Sequence, residues 1–126
     1  MQNTQKLKEA DLHDVYYHVR FRDGSGYTVC LVLDKEEALI ARGVAICSKQ
    51  DQFNRRTGRV LALARAMQAI THKDCLHRIK GNPYDTFMTQ LSKTSAMSFV
   101  WKAAYKPNPT EYERENILKE KEEVGV

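Results

Sequence analysis

The sequence predicts an α+β fold, in which an antiparallel β-meander is packed by an amphipathic helix and a second helix lies at the C-terminus. Three observations support this class. Residues 14–47 contain three apolar segments joined by short polar turns, which is typical of consecutive strands. The apolar period changes to that of a helix over residues 56–71, and a capping-box sequence begins a further helix at 110–122. A chain of 126 residues is expected to form one domain, 1–126.

The meander is predicted from three segments that follow a polar, partly helical start at 1–13. The segment VYYHVRFRD alternates, so we predict a half-buried strand with a basic, aromatic outer face. Its apolar side is Val15, Tyr17, Val19 and Phe21, and its outer side is Tyr16, His18, Arg20 and Arg22. A turn at 23–26 leads to YTVCLVLD, and a turn at 35–37 leads to ALIARGVAICS. Gly43 in that third strand indicates a bulge or a close backbone approach.

The helix predicted over 56–71 has an apolar stripe at 3.6-residue spacing. The stripe, which we expect to face the sheet, consists of Val60, Leu63, Met67 and Ile70. The small side chains of Ala62, Ala64 and Ala66 keep the helix narrow. Residues 71–82 are polar and are predicted to be a loop. A short helix is predicted over 84–93, because it would place Phe87, Gln90 and Leu91 on one face. The alternation near 96–103 predicts a fourth strand.

Composition and charge narrow the functional classes. The net charge is +4, with 42% hydrophobic and 29% charged residues, which indicates a folded protein and favours an anionic partner. No apolar run reaches the roughly 20 residues that span a bilayer, and residues 1–14 lack the apolar core of a signal peptide, so we expect an intracellular protein. The three cysteines have no repeated spacing, so the sequence predicts no disulfide framework.

The sequence predicts no active site and no cofactor. A nucleophile needs a base beside it, and the GxSxG and HExxH spacings are absent. The cluster His72-x-x-Cys75-x-His77 offers three metal-ligand side chains, but its spacing fits no standard zinc pattern and no fourth ligand accompanies it. We therefore expect a polar loop there, no metal, and a binding protein in preference to an enzyme.

Three arginines lie where the helix begins, in the segment SKQDQFNRRTGRVLALARAM. The positive end of a helix dipole disfavours cations, so placing Arg55, Arg56 and Arg59 there costs stability. The same helix start attracts phosphate, and Gly58 allows a close approach. The arrangement predicts an anion site, and a solvated basic face is the alternative.

A second group combines aromatic and polar side chains in SFVWKAAYKPNPTEYER. Flat rings beside amides and cations can stack a nucleobase and recognise its edge. The group is Phe99, Trp101, Tyr105, Lys102, Lys106 and Asn108. Alternatively, Phe99 and Trp101 are core residues of a strand, and Asn108 belongs to a plain Pro-Asn-Pro turn.

Two family resemblances follow from these motifs. Three strands followed by RRTGRVLALARAMQAI resemble a double-stranded RNA-binding domain, although the expected GPxH turn is absent and more than 40 residues follow the helix. A second resemblance covers more of the chain: ARGVAICSKQDQFNRRTGRVLALARAMQAI and YKPNPTEYERENIL resemble small phage and prophage proteins, the Thoeris anti-defence sponges of the first family described.

The sponge resemblance implies a protein that captures a cyclic ADP-ribose signal intact in the cytoplasm of an infected bacterium. It implies an antiparallel sheet with helices, and ligand sites at subunit interfaces of dimers that can form hexamers. Some relatives also hold cyclic oligonucleotides. On this basis Arg55, Arg56 and Arg59 would hold phosphate, Phe99 or Trp101 would stack adenine beside Tyr105, and Asn108 and Arg114 would close the site. Binding of RNA or DNA is the alternative.

Overall fold

A computed structural model describes residues 2–20, 24, 26–47, 54–79 and 101–118. Within this part of the chain, three helices accompany a five-stranded antiparallel sheet, which confirms the α+β class. The elements are α1 (Gln2–Glu9), β1 (His13–Arg20), β2 (Gly26–Leu33), β3 (Leu39–Cys47), α2 (Arg55–His72), β4 (Leu76–Arg78), β5 (Trp101–Tyr105) and α3 (Glu111–Asn116). Phe99, the helix predicted over 84–93 and the start of the predicted fourth strand lie outside the described residues.

The predicted meander is confirmed, because β1 pairs with β2 and β2 pairs with β3 in antiparallel register. The second turn is fixed locally: the Asp34 carboxylate accepts hydrogen bonds from the backbone N–H groups of Glu36 and Ala38, each at 2.9 Å. The pairing shifts register beside Leu33, at the end of the β2–β3 ladder. The meander therefore depends on local turn chemistry and alternation, both of which are visible in the sequence.

Two strands complete the sheet in the order β1-β2-β3-β5-β4. The strand β5 overlaps the predicted fourth strand at 101–103 and continues to Tyr105. The prediction of a loop over 71–82 is wrong at Leu76–Arg78, which pair with β5 as the edge strand β4. A three-residue strand has no periodic signal of its own and forms because a neighbouring strand offers free hydrogen-bonding groups.

Helix α2 packs on the sheet through its alanines together with Leu63, Met67 and Ile70 of the predicted apolar stripe, and the prediction is wrong only at Val60. Its buried residues are Ala62, Leu63, Ala66 and Ala69, whereas Val60 is 67% exposed. Val60 lies on the side of the helix away from Ala62, and Ala62 is the point where α2 approaches β3 closely: a Cβ added to Gly43 would overlap the carbonyl oxygen of Ala62. Only small side chains fit between two backbones at that distance. The close approach predicted for Gly43 is thus confirmed.

The face of the sheet opposite α2 is also covered, and β1 is half-buried as predicted, but its predicted outer face is partly covered as well. All eight residues of β2 are buried. Tyr17, Val29 and Val44 form a second apolar cluster on that side, against which Ile117 packs. On the other side Tyr16 packs against the core beneath α2 and does not form a solvent-exposed outer face.

The two short helices cover opposite faces of the sheet. In α1, Leu7 is 2% exposed and joins the alanines of α2 in one core cluster. In α3, the predicted capping box is present: the Thr110 hydroxyl accepts from the Glu113 N–H, and the Glu113 carboxylate accepts from the Thr110 N–H. The helix ends at Asn116, earlier than the predicted 122; residues 119–122 lie outside the described part. None of the described helices has the length and apolar character that crossing a membrane requires.

Candidate functional site

The three arginines of the predicted anion site lie on the first turn of α2 and are exposed. The helix begins where the sequence indicated, because the side chain of Asn54 accepts a hydrogen bond from the backbone N–H of Thr57 at 3.0 Å. The first turn contains no acidic residue. Among the described residues, no carboxylate forms an ion pair with Arg55, Arg56 or Arg59. This helix start therefore carries a positive charge that the described part of the fold does not neutralise.

His18 extends this basic group from the sheet side. Its Nδ1 lies 2.8 Å from the Thr28 hydroxyl oxygen, and its pKa is lowered by partial burial and then by the positive charges of Arg55 and Arg59. A Cβ on Gly58 would overlap that same hydroxyl, so the first turn of α2 rests directly on β2. The alternation of β1 predicted that His18 lies on an outer strand face. Its closeness to the arginines required knowledge of how α2 crosses the sheet.

The described aromatic residues of the second group lie on β5, towards the edge of the sheet opposite β1. Trp101 is half-buried on β5, and the Arg78 guanidinium carbon lies 5.9 Å from the centroid of its ring. Tyr105, also half-buried, has the Lys106 ammonium 5.5 Å from its ring centroid and packs against the core beneath α2. Trp101 and Tyr105 are thus each partly buried and partly exposed, so each is in part a core residue and in part a surface residue.

The structure does not bring the arginines and Trp101 together within one chain. His18, beside the arginines, belongs to the edge strand β1, whereas Trp101 belongs to β5 and pairs with the opposite edge strand. Strands are spaced about 4.8 Å apart, so β1 and β5 are separated by roughly 14 Å across the sheet. Within one chain, the arginines and Trp101 therefore lie near different strands of the sheet.

Asn108 and Arg114 lie with α3, on the face opposite α2. Both residues are exposed. The backbone carbonyl of Asn108 accepts a hydrogen bond from Arg42 Nη2 at 3.0 Å, which leaves the Asn108 amide on the surface. Arg114 is in the last turn of α3, where a cation complements the helix dipole. These two candidate ligand residues are thus near one another in the chain but remote from the α2 arginines.

A buried ion pair beneath α3 is the polar feature that sequence reasoning missed. Arg42 and Glu113 have fully buried side chains, and both Nε and Nη2 of Arg42 donate to the Glu113 carboxylate, Nε at 3.0 Å. Tyr17 donates its hydroxyl to Glu113 at 2.6 Å, and that carboxylate raises the pKa of the tyrosine, together with the larger effect of burial. The signal was present in ALIARGVAICS: an arginine in an otherwise apolar strand requires a buried partner.

The candidate metal ligands and the buried thiol are the remaining titratable groups to be placed. No group of three or more His, Cys, Asp or Glu side chains in this part of the chain is placed to hold a metal ion. His72 ends α2 and His77 lies on β4, with Cys75 half-buried between them. Burial raises the pKa of the Cys30 thiol, which disfavours the nucleophilic thiolate.

Comparisons of the chain with protein families, curated proteins and solved structures found no match.

Proposed function

We propose that this chain is a nucleotide-binding protein that recognises phosphate. The observation that carries the proposal is the start of α2, where three exposed arginines are placed at the positive end of an 18-residue helix without an acidic partner among the described residues. Guanidinium groups form strong paired hydrogen bonds with phosphate oxygens. A bound phosphate would remove the mutual repulsion of Arg55, Arg56 and Arg59 and would also favour the helix dipole.

Within this class, we propose a sponge that holds a cyclic ADP-ribose-type nucleotide without cleaving it, in the cytoplasm of a phage-infected bacterium. The support is the resemblance of Ala41–Ile70 and Tyr105–Leu118 to the Thoeris anti-defence sponges, together with the chemistry of the two groups. The arginines suit the pyrophosphate, and Trp101 suits the adenine ring. Because these groups lie apart in one chain, the proposed site lies between subunits of a dimer or hexamer. The same arginines suit cyclic oligonucleotides.

Identification of the captured molecule tests the proposal directly. The protein is incubated with a panel that contains cyclic ADP-ribose isomers, cyclic oligonucleotides, ADP-ribose and nucleoside monophosphates, then filtered, denatured and analysed by mass spectrometry. We expect an intact cyclic nucleotide to be released. Release of a hydrolysed product would instead indicate an enzyme, and retention of none of the panel would contradict the proposed function.

Calorimetric titration assigns the phosphate contact to particular residues. Replacing Arg56 or Arg59 by Ala should weaken binding of the captured nucleotide by roughly 1.5–3 kcal/mol, the usual contribution of a hydrogen bond to a charged group, without unfolding the protein. The matched control is Lys35→Ala, which removes an exposed cation from the β2–β3 turn. If all three variants bind equally well, the arginines are a solvated surface.

Binding of double-stranded RNA is the second candidate, and one observation favours it. The element order α1-β1-β2-β3-α2, with Leu7 of α1 and the alanines of α2 in one cluster, is that of a double-stranded RNA-binding domain. Salt separates the two candidates. Binding to a polymer through several phosphates should weaken by orders of magnitude between low and moderate salt, whereas an enclosed diphosphate should respond far less. Tight RNA binding without nucleotide capture would favour this candidate.

A further inference from the structure

The turn that joins β5 to α3, residues 106–110, is fixed from several sides. Lys106 has a positive φ of 48°, and its backbone N–H donates to the carbonyl oxygen of Ile40 at 2.7 Å. The carbonyl of Asn108 accepts from Arg42 at 3.0 Å. The N–H of Thr110 donates to the Glu113 carboxylate at 3.0 Å. A left-handed lysine persists only where its surroundings impose it, so this turn has one enforced geometry.

Arg42 connects these restraints. One guanidinium contacts the Glu113 carboxylate through two nitrogens and the Asn108 carbonyl through one of the same nitrogens. A planar guanidinium serves both acceptors from one fixed position with donors on different nitrogens, whereas the three donors of a lysine ammonium all belong to one nitrogen. A buried ion pair is no more stabilising than a well-packed apolar pair, so stability alone does not account for this arrangement.

The fixed turn exposes the side chain of Asn108 at the surface. Asn108 lies between Pro107 and Pro109, and its backbone is held from within while its amide faces outwards. We propose that Arg42 is a positioning residue for ligand recognition, which holds the Asn108 turn so that the amide meets the nucleotide in one orientation. This inference rests on the proposed function and adds to it a buried residue that does not itself touch the ligand.

A double-mutant cycle tests the inference with cyclic ADP-ribose as the probe. Arg42→Lys keeps the buried positive charge but removes the fork, and Asn108→Ala removes the amide. Each variant should bind the probe about tenfold more weakly, and the double variant should bind no more weakly than either single one, because Arg42 acts through Asn108. Tyr16→Phe, whose hydroxyl bonds Asp14 on the other face of β1, is the control and should bind normally.

Additive losses in the cycle, or normal binding by Arg42→Lys, would overturn the inference while leaving the proposed function intact. If the wild-type protein retains no nucleotide from the panel, the proposed function fails and this inference fails with it.

Amide hydrogen exchange tests the structural step without any ligand. Exchange at Lys106 and Thr110 should accelerate at least tenfold in Arg42→Lys, whereas exchange in the β1–β2 ladder should not change. If Arg42→Lys does not fold, the same measurement is made on Tyr17→Phe, which loosens Glu113 without removing a charge. Unchanged exchange in the turn would overturn the inference in either variant.

Discussion

The arginine on β3 and the arginines that begin α2 show two opposite ways in which this chain places positive charge. Arg42 is fully buried, and its counter-charge Glu113 is part of the same fold. Arg55, Arg56 and Arg59 are exposed, and no described carboxylate pairs with them. In the first arrangement the charge is neutralised within the fold, and the ion pair connects β3 to α3. The second has no counter-charge among the described residues, which is why we propose the α2 start, and not the buried pair, as the binding group.

The largest expected effect comes from breaking the buried pair. Arg42→Met should lower the free energy of unfolding by about 3–5 kcal/mol, because it leaves the Glu113 carboxylate buried without its counter-charge. Urea unfolding followed by circular dichroism measures this. The double variant Arg42→Met/Glu113→Leu should recover most of the loss, because both charges are then removed. A loss below about 1 kcal/mol in the single variant would show that water reaches the pair.

The next largest loss of unfolding free energy is expected at Tyr17, and its neighbour Tyr16 provides the comparison. Tyr17→Phe should cost about 1–3 kcal/mol of unfolding free energy, because it removes a buried hydrogen bond to a charged carboxylate. Tyr16 makes a hydrogen bond of the same 2.6 Å length to Asp14, which is only partly buried. Tyr16→Phe should therefore cost less. Equal losses in urea titrations would contradict the difference in burial between the two faces of β1.

Charge reversal at the α2 start should change stability in the opposite direction. Arg56→Glu should raise the free energy of unfolding by about 0.3–1 kcal/mol at low ionic strength, because a carboxylate suits the positive end of the helix dipole. Thermal unfolding at low and high salt measures the gain, which salt should reduce. The same variant should lose nucleotide binding. A variant that is less stable than wild type at low salt would show that Arg56 has a structural partner.

The smallest effect is a pH dependence from His18. Burial and the neighbouring Arg55 and Arg59 lower its pKa in the folded state, so the unfolded chain binds the proton more readily. Stability is therefore complete above the ordinary histidine pKa of about 6.5 and falls as the pH drops through the lower folded value. His18→Gln should lose less stability than wild type between pH 7.5 and 5.5. Identical pH profiles would show that the ring does not sense the arginines.

Much of the fold was predictable because its signals are local. The start of α2 follows from Asn54 capping Thr57, and the α3 capping box follows from two residues three positions apart. The candidate arginines follow from the same helix boundary. Long-range placement was not predictable: Val60 occupies a helical apolar position yet is exposed, because the face of α2 that lies against β3 is centred on the alanines.

The sequence by itself determined where the three meander strands, α2 and the α3 capping box of this protein form, and which end of α2 carries the three arginines. Such features depend on hydrogen bonds and alternation within a few residues. Only the tertiary structure decided that Arg42 meets Glu113, 71 residues away, and that the arginines and Trp101 lie at different sides of the sheet. Those relations depend on how close two backbones pack and which strands become neighbours, and the alanines and Gly43 set that distance without any periodic signal of their own.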